Sequence, residues 1–72
     1  MFTEKEEQYI LSSLKQIRAE THENNIMLRQ LIAYFNKEIA FASQENENDF
    51  VRNILANLIS NGLDIQQVFK QR

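Results

Sequence analysis

The sequence predicts an all-α protein, and three observations carry that reading. Apolar residues recur at helical spacing along nearly the whole chain, Pro is absent, and a single Gly, Gly62, interrupts the pattern. The expected order is a long N-terminal helix over about 4-43, a polar linker over 44-48, and two shorter helices over about 49-61 and 64-71. All of it forms one domain, 1-72, because 72 residues are too few for two hydrophobic cores.

The first helix opens with Thr3 and Glu6 at capping-box spacing, in which the Thr hydroxyl serves the N3 amide and the Glu reaches back. Beyond it lies a heptad seam. Leu14, Thr21, Leu28 and Phe35 fall at a, and Ile10, Ile17, Asn24 and Leu31 at d. The seam is narrow before Thr21. After Asn25 the apolar face widens to include Met27, Ile32, Tyr34, Ile39 and Phe41, which asks for packing on more than one side.

A helix over 4-43 would be roughly 60 Å long at 1.5 Å per residue. A compact domain of this size has a radius of gyration near 11 Å. Such a rod is therefore expected to pair with another copy, as an intermolecular bundle or partial coiled coil. The alternative is a break near Thr21–Asn25, where THENN has poor helix propensity but neither Gly nor Pro. The expected oligomer interface is Ile10, Leu14, Ile17, Thr21, Asn24, Leu28, Leu31, Ile32, Phe35 and Ile39. Thr21 and Asn24 are the polar seam positions that would set register.

Residues 43–49, SQENEND, read as the linker. Asn48 or Asp49 would then cap a helix carrying Phe50, Val51, Ile54, Leu55, Leu58 and Ile59 on one stripe. Gly62 is placed as a left-handed C′ residue, with Leu63 as the apolar contact of a Schellman ending. Asp64 and Gln67 repeat the capping-box spacing ahead of Ile65, Val68 and Phe69. The expected packing residues of this C-terminal hairpin are Phe50, Val51, Ile54, Leu55, Leu58, Ile59, Leu63, Val68 and Phe69.

Chemistry is sparse. Cys is absent, so neither a disulfide nor a thiolate metal site is available. His22 lacks the Glu three residues before it that a bundle metal site uses, and it reads as a solvated histidine. Ser13 and His22 would lie over about 13 Å apart on one helix, too far for a nucleophile and its base. No glycine-rich loop cradles a phosphate. The expectation is no enzyme activity, no metal, no cofactor and no small-molecule substrate.

Lys+Arg number 8 and Asp+Glu 10, for a net charge of −2, whereas a phosphate-binding domain usually shows a basic stripe. No apolar run reaches the 18 or so residues of a membrane span. The acidic start, MFTEKEEQYI, does not resemble a secretory leader, so a cytoplasmic location is expected. The functional expectation is a non-catalytic, self-associating protein–protein interaction module, an adaptor or small regulatory subunit. Its partners would be itself, as a homodimer or homotetramer, and another protein. The alternative is a small DNA-associated accessory protein whose dimer presents basic helix ends, with Lys70 and Arg72 among them.

Overall fold

Thr3 starts the first helix as the sequence expects. Its backbone N–H donates to Glu6 Oε1 at 2.8 Å, and the Glu6 N–H donates to Thr3 Oγ1 at 3.1 Å. The computed structural model describes residues 2–69. Within them the chain forms α1 (Glu4–Gln16), α2 (His22–Phe35), α3 (Gln44–Ser60) and a short 3-10 turn (Gln66–Phe69), with no strand.

The single helix expected over 4-43 is therefore two helices and a loop. α1 stops at Gln16, and Ile17 takes extended backbone angles, φ −77° and ψ 134°. An exit into the extended region demands no left-handed residue, so no Gly is needed to end the helix. Four residues later Thr21 acts as an N-cap, its Oγ1 accepting from the Asn24 N–H at 3.1 Å. Thr21 is thus a cap and not a seam residue. A Thr hydroxyl satisfying an otherwise orphaned first-turn amide is worth about 1 kcal/mol.

α2 and α3 end alike. At the end of α3 the Leu63 N–H donates to the Leu58 carbonyl and the Gly62 N–H to the Ile59 carbonyl, with Gly62 at φ +89°. This is the expected Schellman ending, and Leu63 packs against the core. At the end of α2 the Glu38 N–H donates to the Ala33 carbonyl and the Lys37 N–H to the Tyr34 carbonyl. Here the left-handed position is filled by Lys37, φ 64°.

The 44-48 linker is likewise corrected. Ser43 Oγ accepts from the Asn46 N–H at 3.1 Å, so α3 begins at Gln44 rather than near residue 49. The polar run is the exposed first turns of a helix, and Glu45 and Glu47 there complement its positive end. The true connection between α2 and α3 is 36–43. Where the last helix is expected, over 64-71, the described residues form the 3-10 turn Gln66–Phe69. Asp64 Oδ1 accepts from the Gln66 N–H at 3.3 Å, and residues 70–72 lie outside the described part.

α1 packs antiparallel to α2, and α2 to α3: Lys37 reaches Glu7 across the first pair, and Asn61 reaches Asn24 across the second. After Gly62 the chain turns back along α1, ending where Phe69 meets Phe2 and Phe35. One core results, built on Ile10, Leu14, Leu31, Leu58 and Ile65, with Leu11, Leu28, Phe35, Ile54 and Val68 around them. Each such side chain contributes roughly 1.5–3 kcal/mol by leaving water. The radius of gyration is 11.8 Å and the extents are 31 × 27 × 18 Å, close to the ~11 Å expected of a folded chain this long. No described helix is long and apolar enough to cross a membrane.

Candidate functional site

The Schellman turn at Lys37 has a consequence for the surface. By reversing the chain directly after α2, it brings Phe41 back against Tyr34, with Ile39 lining the same cleft, and Ser43 then restarts the chain as α3. The result is a cleft of about 550 Å³ between the N-terminal half of α1, the end of α2, the 36–43 connection and the first turns of α3. Its apolar walls are Tyr34, Phe35, Ile39 and Phe41. Its polar rim is Glu7, Lys37, Ser43, Gln44 and Glu47.

The Tyr34 hydroxyl donates to Glu47 Oε2 at 2.6 Å. Burial, then the Glu47 hydrogen bond and negative charge, then the more distant charge of Glu7, push the Tyr34 phenol up to about 12. Each cause disfavours phenolate, the first by desolvation and the others by placing a second negative charge near it. Across the cleft, Lys37 Nζ lies 3.3 Å from Glu7 Oε1. The Lys37 side chain is 75% exposed and that of Glu7 25%. An exposed pair of this kind contributes between zero and about 1 kcal/mol.

Behind the cleft, aromatic rings gather at one end of the bundle. Phe2, Phe35 and Phe69 touch one another at centroid distances of 6.0 to 6.5 Å. Tyr34 meets Phe35 edge-on at 5.0 Å and also contacts Phe41 and Phe50, which themselves lie 5.2 Å apart. All five phenylalanines and one of the two tyrosines thus form one connected set. Only Phe35 among them is buried; the other five are partly open to solvent.

The residues expected to form an oligomer interface divide differently. Ile10, Leu14, Leu28, Leu31 and Phe35 are buried by the chain's own helices and make its core. Asn24 is 4% exposed and accepts from Asn61 Nδ2 at 3.2 Å, tying the start of α2 to the end of α3. Ile17, Ile32 and Ile39 are half-buried, and Thr21 is an exposed cap. Of the expected hairpin residues, Ile54, Leu58 and Val68 are buried. Phe50, Val51, Leu55, Leu63 and Phe69 are half-buried, and Ile59 is 45% exposed.

His22 is exposed, as expected of a solvated histidine. Among the described residues no group of three or more His, Asp or Glu is placed to hold a metal ion. Lys70 and Arg72, the basic end invoked for duplex binding, lie outside the described residues. Sequence reasoning missed Glu7, Lys37 and Glu47 as site residues. Glu7 and Lys37 are 30 positions apart and Tyr34 and Glu47 13 apart, so no local spacing joins them.

No protein-family model matches the chain, and no match was found among curated proteins or solved structures.

Proposed function

We propose that the protein is a non-catalytic helical interaction module, an adaptor or small regulatory subunit, and that it self-associates through its aromatic end. The observation that carries this reading is the connected set of six rings, of which only Phe35 is buried. Rigid aromatic side chains supply large contact area with few rotors to immobilise, and they dominate the energetic centres of protein interfaces. Ile10, Leu14, Leu28, Leu31 and Phe35 are buried within one chain, which favours the aromatic end over the seam as the contact. Assembly is then a docking of folded units and not a condition of folding.

The experiment is molar mass by light scattering over a hundredfold dilution, with helicity followed in parallel, on the wild type and on Phe41→Asp. The expected result is a wild-type mass above monomer at high concentration. It falls on dilution while helicity stays constant, and Phe41→Asp stays monomeric with the same helicity. A monomer at every concentration overturns self-association. An assembly untouched by Phe41→Asp overturns the aromatic end as its interface.

A further inference from the structure

Lys37 is the residue that local stability does not explain. It occupies the left-handed C′ position that Gly62 fills at the equivalent end of α3. A side chain there is strained by roughly 1–2 kcal/mol. Its ion pair with Glu7, largely open to water, returns at most about 1 kcal/mol. Backbone strain of this kind concentrates where a side chain is held for a purpose. What Lys37 does with its ammonium is to touch the acidic rim of the aromatic cleft.

The donors and acceptors of that cleft set the chemistry of what fits it. The Tyr34 hydroxyl proton is committed to Glu47 Oε2, and Lys37 is engaged with Glu7 Oε1. Each carboxylate has a second oxygen, Glu47 Oε1 and Glu7 Oε2, and among the described residues Lys37 is the one cationic side chain lining the cleft with them. Tyr34 and Phe41, 6.0 Å apart with their planes at 64°, supply ring faces beside them. A planar cation bearing several N–H donors satisfies both features: it forks onto carboxylate oxygens and stacks on an aromatic face. We infer that the cleft between Glu7 and Glu47 receives an arginine side chain of the partner polypeptide, with Lys37 as the resident cation that the guanidinium displaces.

This inference rests on the aromatic end being an interaction face, and its test is separate from the light-scattering experiment. The isotopically labelled protein is titrated at low salt with N-acetyl-arginine amide, and the Tyr34, Phe41 and Glu47 resonances are followed. A ligand of this size is expected to saturate those shifts at about millimolar concentration. Glu47→Gln, which can still accept from Tyr34, should weaken binding at least tenfold. Lys37→Asn, neutral and tolerant of the left-handed backbone, should tighten it severalfold.

N-acetyl-aspartate amide acting on the same resonances would overturn the proposal, because Lys37 would then be reading an anion. N-acetyl-lysine amide binding as tightly would overturn the assignment to a guanidinium, and so would no saturable shift with the arginine amide. Arginine binding by a strictly monomeric protein supports the cleft and removes self-association alone. Concentration-dependent assembly without arginine binding leaves the interface and removes this inference.

Discussion

Two helices of this protein end in the same hydrogen-bonded motif with different residues at its left-handed position, and exchanging them isolates the cost of that conformation. Lys37→Gly removes strain of roughly 1–2 kcal/mol from the folded state. It adds the extra freedom of Gly to the unfolded chain, about 0.5–1 kcal/mol against stability. It also forfeits the Glu7 pair, which at 3.3 Å and with Lys37 75% exposed is worth between zero and about 1 kcal/mol. The net expectation is a small stability gain of about 0.25 kcal/mol, or a rise of about 1–2 °C in Tm for a domain of this size.

Gly62→Ala is the mirror experiment. A Cβ at Gly62 meets nothing within 4 Å, so its cost is wholly that of backbone at φ +89° and should be about 1 kcal/mol. Lys37→Ala separates the terms, since it keeps the strained backbone and loses only the ion pair. It should fall between wild type and about 1 kcal/mol of destabilisation. The assay is urea unfolding followed by helicity, with equal slopes required across the set. A Lys37→Gly protein destabilised by more than about 1 kcal/mol would refute the reasoning, because Lys37 would then hold the fold together by a contact stronger than an exposed ion pair.

The other perturbations test core, tie and cleft. Leu31→Ala, at a fully buried site, should cost about 2–5 kcal/mol and leave little folded protein, whereas Ile59→Ala, 45% exposed, should stay within about 0.5 kcal/mol; thermal melts distinguish them. Asn24 and Asn61 share a hydrogen bond at 3.2 Å, so a double-alanine cycle should show coupling of about 0.5–1.5 kcal/mol, and strict additivity would mean the two amides are independent. In a Tyr9→Phe background, where Tyr34 is the only tyrosine left, phenolate absorbance should show a midpoint near 12. Glu47→Ala should lower that midpoint without returning it to 10.0, since desolvation is the largest cause and stays. The sign follows: the folded state holds the Tyr34 proton that the unfolded chain releases from pH 10.0, so this group's contribution to stability is lost as pH rises from there through about 12.

Much of the fold is legible in residue order, and the failures have one cause. Thr3 with Glu6, and Gly62 with Leu63, are short-range signals whose meaning is set by backbone geometry within a single turn, and both appear as expected. Ile10, Leu14, Leu28, Leu31 and Phe35 were recognisable as residues that must be buried, but spacing does not say by what. An antiparallel pair of helices turns the same two stripes toward each other that one long helix would turn toward a second copy, so the heptad seam runs unbroken across a loop. The breaks hid because neither used Gly or Pro: Ile17 leaves α1 in extended backbone, and Lys37 takes the left-handed position at the end of α2. The polar run after Ser43 reads as a linker because the first turns of α3, exposed except at Glu47, are as hydrophilic as a loop. The cleft was not legible, since Glu7, Lys37 and Glu47 come from three separate segments and meet only after the two turns are made.

The antiparallel hairpin of α1 and α2 buries Ile10, Leu14, Leu28, Leu31 and Phe35 within one folded chain, and the proposal that the aromatic end is the contact surface depends on that hairpin. Because the chain has no cysteine, spin labels can be placed at Gln8 and Asn36, both exposed, and the labelled protein diluted into unlabelled chains so that only intramolecular distances register. The hairpin of α1 and α2 predicts a separation well inside the 31 Å long dimension of the molecule. A distance of roughly 42 Å, the span of those 28 positions along one straight helix at 1.5 Å per residue, would contradict it and return the seam to a second copy.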